Sequence, residues 1–151
     1  MHNPIKRHQA LKPVSREHHH GLLLSWKIRN GIKNKIELPR IKKYLDWYWI
    51  NHLQQHFVFE EQYLFPILGS DHALVSEAII QHREIEQLFF EKDNLENSLQ
   101  VLEKKLENHI RFEERILFKV IEQNASEEQL QIIENAHQQP LPQDNYSDPF
   151  W

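Results

Sequence analysis

Residues 95–120 read LENSLQVLEKKLENHIRFEERILFKV. Leu95, Leu99, Leu102, Leu106, His109, Glu113, Ile116 and Val120 recur in it at alternating steps of four and three. That spacing keeps returning to one side of a 3.6-residue helix, so the segment is a long amphipathic helix with one inward stripe. Two stripe positions carry the wrong chemistry for a core. His109 and Glu113, one turn apart, stand where leucines would be expected.

The same pattern extends back along the chain. Val75, Ala78, His82, Ile85 and Phe89 form a stripe, as do Trp49, Leu53, His56, Glu60, Tyr63 and Ile67, and Ser15, His19, Leu22 and Trp26. Start and stop residues separate these segments. Ser15 caps a helix that Asn30 and Gly31 end, and Pro39 opens a second that Pro66 and Gly69 close. Ser70 or Asp71 caps a third, running to about Lys92. Asp93 or Asn94 caps the fourth, running to about Gln123, and Ser126 with Gln129 makes a capping box for a short fifth. The expected fold is all-α: an up-down-up-down four-helix bundle with a short C-terminal fifth helix and an extended tail. An irregular N-terminal arm is expected over 1–14, the bundle over 15–138, and the tail, ending in Phe150 and Trp151, over 139–151.

Composition narrows the function. The 151 residues suit one domain. With 18 basic and 22 acidic residues the net charge is −4, which argues against binding nucleic acid or an anionic membrane. Only 3 Gly argue against phosphate loops, and 0 Cys exclude disulfides, thiolate nucleophiles, zinc fingers and iron–sulfur clusters. No apolar run approaches the roughly 20 residues of a spanning helix. The first residues show no apolar secretory core, so the cytoplasm is the expected compartment.

The 11 His are what needs explaining. His56 and Glu60, His82 and Glu86, and His109 and Glu113 are each one turn apart on an inward face. Residues so spaced have Cβ atoms about 5–6 Å apart and can reach a common centre. One such pair is usually solvated, and one inward His is usually a hydrogen-bonded core residue. Three pairs in phase with three stripes, plus the run His18-His19-His20 on the remaining helix, outweigh that reading. Burying these groups unpaired costs several kcal/mol, and a cation among them removes the cost. Nitrogen and oxygen donors without thiolate suit iron, manganese or zinc.

The segments HFVFEEQYLFP (56–66) and HIRFEERILF (109–118) resemble the two His-x-x-x-Glu-Glu motifs of the hemerythrin-like, His-His-Glu cation-binding family. The similarity runs from about Ser15 to Gln123. It implies a four-helix bundle around two non-haem iron ions and a bridging oxide or hydroxide. By the same resemblance Glu60 and Glu113 bridge, His56 and a first-helix His hold one iron, and His82 and His109 hold the other. His19 is preferred on the first helix because it is in phase with Leu22 and Trp26, with His20 second and His18 third. Hemerythrins proper carry a second His one turn after the third-helix His, where this chain has Glu86. With Glu86 counted as a ligand, the donors and the bridge fill all but one of about twelve positions on two octahedral ions.

Other residues read more plainly. His52 is expected to be a surface or core polar residue, and Glu61 and Glu114 to be exposed or bonded to neighbouring His. Trp26, Trp47, Trp49, Tyr63, Phe65 and Phe112 are expected in the core. His2, His8, His72 and His137 have no partner at ligand spacing. The basic residues from Lys27 to Lys43 read as a solvated face, and Phe150 and Trp151 as residues that dock on the bundle or on a second chain. The expected function is to bind or sense dioxygen, nitric oxide or iron. The alternatives are a redox enzyme, in iron–sulfur repair under nitrosative stress or peroxide handling, and a structural bundle with adventitious metal.

Overall fold

The computed structural model describes residues 6–137 and 145–151, so His2 and residues 138–144 of the tail lie outside the described residues. Helix α1 spans Lys12–Lys33. Helix α2 runs over 38–67 and α3 over Ala73–Phe90. Helix α4 runs over 95–124, and α5 is Glu127–Ala136. Short connections make α1 to α4 an up-down-up-down bundle. Among the described residues there is no strand, and no helix is long and apolar enough to cross a membrane.

Most boundaries follow local chemistry. Pro39 lies in the first turn of α2. Ser126 and Gln129 form the expected capping box on α5. Helix α3 starts instead on His72, whose imidazole accepts from the Leu74 N–H at 3.1 Å. The N-terminal segment is more ordered than an irregular arm. His8 caps a 3-10 turn at Gln9–Leu11, Pro13 lets α1 start at Lys12, and Ala10, Leu11 and Val14 are buried.

The inward face of α1 is one position off the expected stripe. Val14, His18, Gly21, Ser25 and Ile28 are buried, whereas Leu22 and Trp26 are 36% and 44% exposed. The reason is close helix packing. A Cβ on Gly21 would lie 2.6 Å from Ile110 Cδ1, so α1 meets α4 through small residues here and Leu22 and Trp26 lie to the side of the packed face, while Leu24 and Ile28 enter the core.

Helices α2 and α4 each change register directly after an inward glutamate. Glu60–Leu64 and Glu113–Leu117 are π-helical turns, in which the N–H of Phe65 donates to the Glu60 carbonyl and that of Phe118 to the Glu113 carbonyl. Such a turn carries one extra residue. The stripes therefore continue at Leu64 rather than Tyr63, and at Leu117 and Ile121 rather than Ile116 and Val120. A third π turn, Trp49–Leu53, lies earlier in α2.

The apolar core is in two parts. One, around Leu24, Ile28, Tyr44, Phe89 and Leu102, fills the end of the bundle where α1 meets α2 and α3 meets α4. The other, around Val14, Leu64, Val75, Leu117 and Ile121, fills the opposite end and takes in Leu130 and Ile133 of α5. A layer of histidines and glutamates lies between them. The tail docks on its own bundle at the first end. The Phe150 ring is 5.7 Å from that of Tyr44, and Arg40 holds both oxygens of Asp148 at 3.1 and 2.9 Å.

Candidate metal centre

The polar layer contains six side chains, one each from α1 and α3 and two each from α2 and α4. His18, His56, Glu60 and Glu113 present donor atoms within 4.8 Å of one another, and so do Glu60, His82, His109 and Glu113. The two groups share Glu60 and Glu113. Glu60, Glu113 and His82 are 0% exposed.

The distances have a pattern. Glu60 Oε1 lies 3.2 Å from His56 Nε2 and 3.2 Å from His82 Nε2. Glu113 Oε1 lies 3.0 Å from His18 Nε2 and 3.1 Å from His109 Nε2. Two donors bound at right angles about 2.1 Å from one ion are about 3.0 Å apart, so the spacing is that of neighbouring positions in a coordination sphere. Both oxygens of Glu60, Oε2 of Glu113 and Nε2 of His82 and His109 are buried without a hydrogen-bond partner. Leaving such groups unsatisfied costs about 1–3 kcal/mol each, more when charged. These orphaned atoms converge, and a cation satisfies all of them.

Each imidazole is aimed from behind. Nδ1 of His18 donates to Glu114 Oε2 at 3.1 Å, and that of His56 to Glu17 Oε1 at 3.2 Å. Nδ1 of His82 donates to Glu61 Oε2 at 2.7 Å, and that of His109 to Gln81 Oε1 at 2.6 Å. A carboxylate or amide oxygen only accepts, so each contact places the proton on Nδ1 and turns the Nε2 lone pair to the centre. Phenyl rings cover the layer: Phe57 stacks on His82 at 3.8 Å and Phe118 on His18 at 5.2 Å.

The electrostatics are those of buried charges paired with one another. Burial disfavours charge on His56, but Glu60 and Glu17 outweigh it and lift the imidazole to about 9. Burial also opposes charge on His18 and His82, and the surrounding carboxylates hold both well above the usual imidazole range. Burial and the Glu113 charge push Glu60 up, yet His56 and His18 bring it down to about 2. Without metal, protons on His18, His56 and His82 balance the carboxylates.

Residues 13–121 match the family model of the hemerythrin HHE cation-binding domain. The chain belongs to the hemerythrin HHE family. No curated protein and no solved structure gives a significant match. The HHE domain binds metal cations, and the buried His/Glu cluster fits such a site.

Of the residues expected from the sequence, the structure brings together His56, Glu60, His82, His109 and Glu113. It does not bring His19 or Glu86 to them. His19 is exposed, and His18 occupies the inward position because the packed face of α1 runs through Val14 and Gly21. Glu86 lies four residues after His82 but is turned outward, where Arg83 Nη1 donates to it at 3.0 Å; Ile85 takes the inward place. His52 packs on Trp47 and Tyr48 at 5.0 and 4.9 Å, away from the cluster.

Sequence reasoning also passed over Glu17, Gln81 and His137. Glu17 offered one signal, its position beside a histidine, as with Glu61 and Glu114 beside the inward glutamates. Gln81 and His137 offered none, since their contacts depend on helix packing.

Proposed function

We propose that this chain holds two non-haem iron ions in its polar layer and binds a small molecule such as dioxygen or nitric oxide there. His18, His56, His82 and His109 are the nitrogen ligands, with Glu60 and Glu113 bridging. The observation that supports this best is the division of six buried donors into two groups of four that share both glutamates. A bound iron pair supplies reversible one-electron chemistry and open positions for a diatomic ligand. The protein's own residues fix the imidazoles through Nδ1 and exclude bulk water with Phe57 and Phe118.

With Glu86 outside the cluster, the six residues would hold the metal with one donor fewer than the sequence suggested, leaving more room for a small ligand. A metal pair with room for a small ligand would also suit peroxide handling, which is the second reading. Elemental analysis of protein from its native host, followed by azide titration of the optical spectrum, tests the proposal. Two irons per chain and an azide-dependent charge-transfer band are expected. Zinc at two per chain, or iron with no azide response, overturns the small-ligand reading. Turnover of added peroxide favours the enzyme.

A further inference from the structure

The groups that hold the imidazoles are themselves held, and the holders differ between the two metal positions. Behind His82 and His109 they belong to the bundle: Arg83 bonds Glu61, and Gln81 Nε2 donates to Glu77 at 2.9 Å. This position also lies beside a cleft of about 200 Å³ whose walls include Glu77, Gln81 and His109.

Behind His18 and His56, Ser15 of α1 donates from Oγ to Glu114 Oε2 at 2.9 Å, and the further holders come from outside the bundle. His137, at the end of α5, donates from Nε2 to Glu17 Oε1 at 2.9 Å, the same oxygen that accepts from His56 Nδ1. Its ring is set edge-on to Phe59 at 4.7 Å. Arg7, with a side chain only 6% exposed, donates to the Glu114 carbonyl at 2.6 Å and to Glu122 Oε1 at 3.0 Å, and its Nη2 lies 3.9 Å from Glu114 Oε2. Arg7 and His137 lie outside residues 13–121, the part that matches the HHE family. The two outer segments also bind each other: Ala10 and Leu11 share a core with Leu130 and Ile133, and Gln9 donates to Glu134 at 2.8 Å.

We infer that the N-terminal segment and α5 form one brace for the metal position of His18 and His56, with His137 and Arg7 as positioning residues that make this position the tighter of the two. The inference rests on the metal centre proposed above. Glu61 also has a second partner, but the Arg83 side chain that supplies it is 52% exposed, whereas those of Arg7 and His137 are 6% and 11% exposed and hold their carboxylates out of water. Losing an outer partner of a metal-bound histidine costs about 10–100-fold in affinity.

The test is titration of the metal-free full chain with cobalt(II), read by its visible bands under competition from a chelator. Wild type is expected to take two equivalents of unequal affinity, and His18→Ala to abolish the tighter. His137→Phe keeps the ring and removes the donor; it should weaken that same equivalent measurably, by less than the about 10–100-fold expected from loss of Glu17 itself, and leave the other unchanged. His137→Gln returns an N–H donor and should restore it, and Arg7→Gln should weaken the same equivalent. Equal weakening of both equivalents, together with a lower melting temperature of metal-free His137→Phe, would mean that His137 only holds α5 in place, and the brace would be refuted. Unchanged titration in His137→Phe also refutes it. Wild-type protein that takes no cobalt refutes the metal centre itself, a different failure.

Discussion

His56 and His82, on neighbouring helices, each place Nε2 3.2 Å from one oxygen atom, Glu60 Oε1. Two imidazoles can crowd one carboxylate oxygen in a dry interior only with protons or a metal among them. The consequences are measurable.

Replacement of inward residues and of their outward neighbours should give opposite results. His18→Ala and His109→Ala should each reduce bound metal to one equivalent or less by elemental analysis. His19→Ala should retain the wild-type content, because its side chain is in solvent. Full metal content in His18→Ala would remove α1 from the centre.

The two carboxylates bonded to Arg83, Glu61 of α2 and Glu86 of α3, make a similar pair. Glu61→Ala takes the acceptor from His82 Nδ1 and should weaken metal binding about 10–100-fold. Glu86→Ala breaks only a half-exposed pair with Arg83 and should change stability by about 0–1 kcal/mol with no change in metal content. Metal-binding isotherms and thermal melts distinguish the two.

The pH dependence should reverse with metal. His56 is raised from 6.5 to about 9, so its contribution to metal-free stability is complete below 6.5 and disappears as pH rises through 9. Glu60 is lowered from 4.5 to about 2, so its contribution is present above 4.5 and disappears as pH falls towards 2. The metal-free protein should therefore be most stable between about 4.5 and 6.5 and melt at lower temperature on the way to pH 9. Metal competes with protons for Nε2, so its affinity and the melting temperature of the loaded form should rise over the same range. Calorimetry at pH 6 and pH 9, with and without metal, checks both signs.

Phe150 is buried against Tyr44 and Gly31 at the end of the bundle remote from α5. Phe150→Ala should cost about 2 kcal/mol by loss of that burial. Denaturant unfolding measures the loss, and metal content should stay at the wild-type value.

Much of this molecule was legible before its structure. The α3 stripe through Val75, Ala78, His82, Ile85 and Phe89 is buried as its spacing requires, because no residue interrupts the helical period. Two physical effects hid the rest. On α1 the buried face is marked by Gly21 and Ser25, and a reading that follows large apolar residues selects Leu22, Trp26 and hence His19. On α2 and α4 the π turns add a residue just past Glu60 and Glu113, so a fixed period points to Tyr63 and Ile116 where Leu64 and Leu117 are buried. Glu86 has the same spacing from His82, but on α3 Ile85 takes the inward place and Glu86 is turned out beside Arg83.

The division of the core by a charged seam has a consequence for how the protein comes apart. Oily contacts do not run unbroken from one pole of the barrel of helices to the other; the six ionisable groups intervene. With cations chelated away, the halves are coupled mainly through backbone and proton-mediated pairs. Stripped protein should then melt in two stages, with the amides near Val75 and Leu117 exchanging apart from those near Leu24 and Leu102, while the loaded form melts in one.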